Sequence, residues 1–377
     1  MSACDIATCA SAATKGGTYP VDAVWTLETT RRLIECDSTV GYYPEIEPLL
    51  KGMVEELGYE MFWDRKHTGY VRVPGRDRSH TVCLGAHLDT IGLVVRGIND
   101  DGTLRVRKLG GINYASIEGE TCRVHCRDGR VVDGEVICNH HSVHVFEDAR
   151  ETPRDENHMS VSIIGDVKSA DDARALGITQ GAVVSIDPHF ECFDNGYVVS
   201  RHIDDKACVA ALLGAVRWMG EAKVTPACDL LLAFPMYEEI GHGASYVPAD
   251  VDEYVAIDIT LIGPDYDADE HHVGVIASDH HGPYDWDLTN SLIKSAERAI
   301  EKGGWDTQVC FHYSTDAMAA YIKGCDLYAA AFGPACLNTH GRERCHVDAI
   351  VRTQQLACAY IEDLSQRYGN EGAKVSE

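Results

Sequence analysis

Residues 228–241 read CDLLLAFPMYEEIG. The apolar run at its heart, LLLAF, is too short for a helix and is closed by Pro235, so it predicts a strand over 229–235 buried on both faces. Strands of that kind belong to α/β sheets covered by helices on each side. Glu238 and Glu239 follow at once. In open α/β sheets the crevice at the carboxyl ends of the strands is where ligands bind. Two adjacent carboxylates in a partly desolvated place there raise a pKa, although a solvated loop accounts for the same pair.

Working outward, the same texture recurs on both sides. Residues 21–58 predict two helices, the second with Ile46, Leu49, Leu50, Met53, Val54 and Leu57 on one face and Gly58 at its end. Tyr70–Val73 and Val82–Ala86 read as strands, and the second stops at His87-Leu88-Asp89. Downstream, Asp204–Met219, Ser291–Lys302 and Val351–Leu364 read as helices, and Tyr254–Ile259, Gln308–Tyr313 and Leu327–Phe332 as strands. Between about 93 and 196 strand-like pieces alternate with turns such as Asn99-Asp100-Asp101-Gly102 and Asp133-Gly134. A hairpin is predicted around Cys122–Cys138, and the only helix is expected near Ala170–Leu176. The expected architecture is therefore α/β, a mostly parallel sheet flanked by helices with an inserted small β-barrel-like domain. It divides into 1–92 and 197–377 for the α/β part and 93–196 for the insertion.

Composition narrows the function. The 377 residues carry 33 Lys+Arg against 59 Asp+Glu, a net charge of −26. A surface this acidic repels phosphate backbones and anionic lipid, so neither nucleic acid nor membrane is an expected partner. The longest apolar stretches fall far short of the ~20 residues that span a bilayer. The start, MSACDIATCASAATKGG, has no basic residue ahead of an apolar core, so it reads as a small-residue, poorly ordered tail rather than a secretory leader. Fifteen cysteines are scattered singly without a CxxC pair. They read as reduced, buried side chains of a cytoplasmic protein.

Five clusters fall where predicted strands end or helices begin: His87/Asp89, Asp204/Asp205, Glu238/Glu239, Asp258 and His340. Nitrogen and oxygen donors of this kind suit zinc, manganese or cobalt. Each has a plainer reading. His87-x-Asp89 can be a structural pair, with Asp89 fixing the imidazole tautomer. One of Asp204 and Asp205 can be a helix N-cap. Asp258 interrupts an apolar run and needs a partner. His340, in NTHGRERCH, competes with His346. Their order, and their repeated placement at element ends, is what points to one site.

The strings AHLDTIG (86–92), SRHIDDKA (200–207), YEEIGHGAS (237–245) and AIDIT (256–260), with the late His340, resemble the tetrahedral aminopeptidases, metallopeptidase family forty-two, which includes glutamyl aminopeptidases. The stretch SVSIIGDVKSADDARALGITQGAVVSIDP (160–188) is similar to the family's return to its catalytic domain. The narrower likeness is to a subgroup found beside genes for the osmoprotectant N-acetylglutaminylglutamine amide. The resemblance implies a zinc-exopeptidase-like fold and two divalent metal ions per chain, zinc first, with cobalt or manganese as alternatives. It implies Asp204 as the bridge, His87 and Asp258 on one ion, Glu239 and His340 on the other, Glu238 as general base and Asp89 as a second catalytic carboxylate. It also implies a cis peptide at Asp204–Asp205 and self-association through the inserted domain, up to a dodecamer. Lys206, where the family commonly has Arg, and a short turn at Gly241–Ala244 depart from the pattern.

The expected function is a metal-dependent aminopeptidase acting on short peptides through a metal-activated water. The alternative is an amidase or deacylase of small N-acylated amino-acid derivatives on the same metals. A non-catalytic scaffold that kept the fold is the third reading, and the adjacent Glu238 and Glu239 argue against it.

Overall fold

The computed structural model describes residues 5–14 and 16–368. The centre of the main sheet is four parallel strands in the order Cys228–Phe234, Asp77–Gly85, Glu253–Ile257 and Tyr328–Cys336. Gly69–Val73 pairs antiparallel with the first of these and Val273–Asp279 antiparallel with the last. Pleating sorts the LLLAF run into two cores. Leu230, Leu232 and Phe234 pack with the helices Ile203–Ala222, Trp286–Ala299 and Val347–Tyr368. Leu231 and Ala233 pack on the opposite face, beneath the short helix Asp316–Ile322. Burial on both faces is why this strand carries no polar alternation.

A closed antiparallel barrel is built from Gly92–Ile98, Leu104–Leu109, Met159–Ile163, Val131–Cys138, Thr121–His125 and Val183–Ile186, the last pairing back to the first. Inward-facing Leu93, Val106, Val124, Val136, Val161 and Val184 fill it. Asp37, in the loop before the helix Ile46–Glu56, ties the barrel to the α/β part. It accepts from Arg123 Nε at 2.6 Å, from Arg123 Nη2 at 2.7 Å and from His125 Nε2 at 2.9 Å. Burial opposes charge on Asp37, yet these partners bring its carboxyl down to about 2.

Several local expectations are corrected. The N-terminal tail is not structureless. Ile6–Ala10 forms a short helix capped by Asp5, and Cys9 is buried against the core; residues 1–4 and 15 lie outside the described set. The helix expected over 291–302 runs Trp286–Ala299, because the Asp285 carboxylate caps Leu288 N–H. The strand expected over 308–313 is Trp305–Val309 and ends before Cys310. Residues 204 and 205 do not adopt helical dihedrals, although the surrounding segment is helical. All described cysteines are free thiols. No helix among the described residues is long and apolar enough to cross a membrane.

One glycine positions a candidate site residue. A Cβ on Gly333 would lie 1.8 Å from the Asp258 carbonyl oxygen, a contact between strands that neither backbone can absorb in place. Gly333→Ala is expected to cost about 1–3 kcal/mol of stability, the usual scale of overpacking. An unchanged denaturation midpoint would contradict this.

Candidate active site

Five chain segments converge at the carboxyl edge of the parallel strands. His87 follows Asp77–Gly85, Glu238 and Glu239 follow Cys228–Phe234, and Asp258 follows Glu253–Ile257, one residue past the end of the pairing. Asp204 enters from the start of the long helix, after His202 in the left-handed region at φ 64°. His340 enters from a turn in which its own φ is 59°. A three-stranded sheet pairs Ser200 with Glu343, and this long-range register brings the Asp204 and His340 loops together.

Asp204 lies between two groups of donors. Its Oδ1 is 3.0 Å from His87 Nε2, and its Oδ2 is 3.6 Å from His340 Nε2. His340 Nε2 is in turn 3.3 Å from Glu239 Oε2. The ligand atoms of His87, Asp204, Asp205 and Asp258 fall within 4.8 Å of one another, and so do those of Asp204, Glu239 and His340. Asp204 belongs to both groups. His346 is turned away: its Nε2 donates to the Asn195 carbonyl at 2.9 Å. The Asp204–Asp205 peptide is cis.

Two further carboxylates hold this arrangement from behind. His87 Nδ1 donates to the Asp89 backbone carbonyl at 2.9 Å, and the Asp89 carboxylate stands 3.6 Å from the same nitrogen. The Asp89 carboxylate also accepts the N–H groups of Glu238 at 3.0 Å and Glu239 at 3.2 Å. Asp89 is therefore the clamp on the glutamate pair. Glu343, which sequence reasoning missed, does the same for the other half. It accepts from Asp204 N–H at 3.0 Å and from His340 N–H at 3.1 Å. Its only signal in the sequence is its place three residues after His340. Asp205 accepts His87 N–H at 3.0 Å through one oxygen. Lys206 lies buried behind the cluster, with Nζ donating to Ser38 Oγ at 2.5 Å.

The electrostatics are those of too many carboxylates in one desolvated place. Burial, then the charge of Asp204, push the Asp258 carboxyl up to about 7. Burial raises Glu238 well above the usual range, and Asp258, Asp316 and Glu239 add to it. Burial and Asp204 do the same to Glu239. Burial disfavours a charged His87, but hydrogen bonds to Asp204 and Asp89 outweigh it and raise its pKa. Asp205 Oδ1 is buried without a hydrogen-bond partner. Divalent cations answer each of these features: they neutralise converging carboxylates and take lone pairs that no donor reaches. The donor set, imidazole nitrogens with carboxylate oxygens, fits zinc, manganese or cobalt. Beside it opens a cavity of about 240 Å³ lined by Asp204, Glu238, Glu239, Asp258 and His340 and by residues that include His281, His312, Tyr313 and Ile322.

Comparison with known proteins places this geometry in context. The sequence profile described as M42 glutamyl aminopeptidase matches residues 68–356. YhfE of Bacillus subtilis strain 168, provisionally named an aminopeptidase, is 32% identical over 338 residues, covering 89% of this chain and 97% of the relative. The glutamyl aminopeptidase of Lactococcus lactis subsp. cremoris strain MG1363 is 23% identical over 349 residues, covering 90% of this chain and 96% of its own. The TET1 peptidase of Pyrococcus horikoshii, which can assemble into a tetrahedron or a large octahedral shell, shares the fold. Its TM-score is 0.78 at 22% identity, over 90% of this chain and 99% of its own.

Proposed function

The chain belongs to the M42 glutamyl aminopeptidase family and is a metal-dependent aminopeptidase, and from that membership we propose which of its residues do the work. The observation that carries the reading is that Asp204 is shared between two donor groups. His87, Asp258 and one oxygen of Asp204 would hold one divalent ion; Glu239, His340 and the other oxygen would hold a second. Zinc is the first choice for this donor set, with cobalt or manganese as alternatives. When bound, such a pair supplies Lewis acidity at the scissile carbonyl and a nucleophilic water at neutral pH.

The protein's own residues do the rest. Glu238, its proton affinity raised by burial, takes a proton from the attacking water and gives it to the leaving amine. Asp89 acts on Glu238 and Glu239 through their backbone N–H groups, so it fixes where the base stands. A cavity of about 240 Å³ is smaller than most ligand pockets, which hold a whole small molecule at ~300–1,000 Å³. It suits a single terminal residue of a short peptide. Its acidic lining attracts a protonated α-amine.

Free-amine aminoacyl chromogenic substrates, assayed beside their N-blocked counterparts, test the reading. Only the free-amine set is expected to turn over, and the activity is expected to vanish on dialysis against a chelator and return with zinc or cobalt. Hydrolysis confined to N-blocked substrates would overturn the reading in favour of a deacylase.

The module at 93–196 is proposed to mediate self-association, up to a dodecamer. Val131, Val143, Val145 and Ile164, between 49% and 67% exposed, give its surface the apolar content of a contact face. A light-scattering mass equal to one chain at micromolar concentration would contradict this. Free cysteines throughout the described residues support a cytoplasmic location.

A further inference from the structure

Away from the catalytic cavity, three distant stretches of chain bring His271, His346 and Asp348 together, with Thr14 beside them. Asp348 lies in the first turn of the helix Val347–Tyr368, and His346 ends the strand Glu343–His346. Asp348 Oδ2 is 3.1 Å from His271 Nδ1 and 3.3 Å from His346 Nδ1. The Thr14 hydroxyl donates to the same oxygen at 2.8 Å. His346 and Asp348 are buried, while His271 is 36% exposed, so the group is open on one side.

The hydrogen bonds fix the tautomer of His346. The Asn195 carbonyl can only accept, so Nε2, at 2.9 Å from it, carries the hydrogen. Nδ1 of the neutral ring then presents a lone pair. Asp348 N–H donates to that lone pair at 3.1 Å, a bond that a cation on Nδ1 would displace. The same nitrogen also faces the Asp348 carboxylate at 3.3 Å, an arrangement that repels unless positive charge sits between. The nearby guanidinium groups do not supply it: Arg352 pairs with Glu301 and Arg344 with Glu270.

The spacing matches a metal. Zinc–nitrogen and zinc–oxygen bonds of ~2.0–2.1 Å in a tetrahedron put neighbouring ligand atoms about 3.3–3.4 Å apart. The supporting bonds are those of a metal site as well. The ring nitrogen of His346 opposite the ligand face donates to a backbone carbonyl. Asp348 Oδ1 accepts Thr14 N–H at 2.6 Å, which orients its carboxylate.

We propose that His271, His346 and Asp348 bind one divalent transition cation, zinc fitting best, at a site separate from the catalytic pair. Two imidazoles and a carboxylate supply three ligands, and the Thr14 hydroxyl or a water completes four. The cation pins the Thr14 segment and the stretch before Val273 to the last helix, so its role is structural.

Zinc alone is the probe, on the full-length chain. Wild type, His271→Ala and Asp348→Asn are loaded by equilibrium dialysis and their zinc content is measured. Each variant is expected to hold one equivalent less than wild type while peptidase turnover is unchanged. Zinc is expected to raise the thermal midpoint of wild type by more than that of His271→Ala, whose exposed position spares the fold. The difference between chains reads this site whatever the catalytic cavity holds. Equal zinc content in wild type and His271→Ala would overturn the proposal and leave a shared proton as the bridge.

Discussion

Asp204→Asn is expected to lose bound metal and activity together. The two carboxylate oxygens of Asp204 serve different neighbours, one facing His87 at 3.0 Å and the other His340 at 3.6 Å. The amide keeps the shape but puts an NH2 donor where one of two acceptors stood, and it removes the charge both donor groups share. Turnover is expected to fall by about 1,000-fold, the upper scale for loss of a single electrostatic element. Metal content, measured by elemental analysis after dialysis, is expected to fall with it. A variant that kept its full metal complement would show that Asp204 does not join the two groups.

Glu238→Gln separates base from ligand. Glu238 Oε2 lies 3.8 Å from His87 Nε2, and its backbone is held by Asp89 rather than by its own carboxylate. The amide therefore leaves the fold and the remaining donors in place and removes only the group that carries the proton. Turnover is expected to fall by ~100-fold or more, the usual scale for a positioned base. Metal content is expected to equal that of wild type. Retained turnover would take the proton-transfer role from Glu238, and lost metal would make it a ligand.

The architecture was legible where chemistry is local. A short apolar run closed by Pro235 announced a buried strand, and Glu238, Glu239, His87 and Asp258 could be placed because each follows such a run directly. Asp258 is informative for a specific reason: the strand stops at Ile257, so the carboxylate sits just beyond the last ladder pair. What stayed hidden depends on pairing across hundreds of residues. Spacing alone cannot choose between His340 and His346. The choice follows from the register that sets Tyr197 opposite His346 and Ser200 opposite Glu343, which carries His346 toward Asn195 and leaves His340 at the cavity. Glu343 was missed for the same reason, because its two acceptors serve backbone groups that only the fold brings near. Asp89, expected beside His87, also has partners that spacing did not announce. Its carboxylate reaches forward to a segment about 150 residues later, and no periodicity reports that. Helix ends shifted by a few residues where a cap such as Asp285 lay outside the apolar periodicity.

The barrel's first and last strands are ladder partners, Leu93 beside Val184 and Val94 beside Val183. The chain thus comes back to within one interstrand spacing of where it left, ~5 Å. A segment whose termini meet in this way acts as a cassette. It can grow, shrink or be exchanged for another of different shape while the distance its host must bridge stays constant. The cassette's size and shape can therefore change without any adjustment to the candidate residues at the sheet edge. A short linker spliced across the same gap would give the host alone.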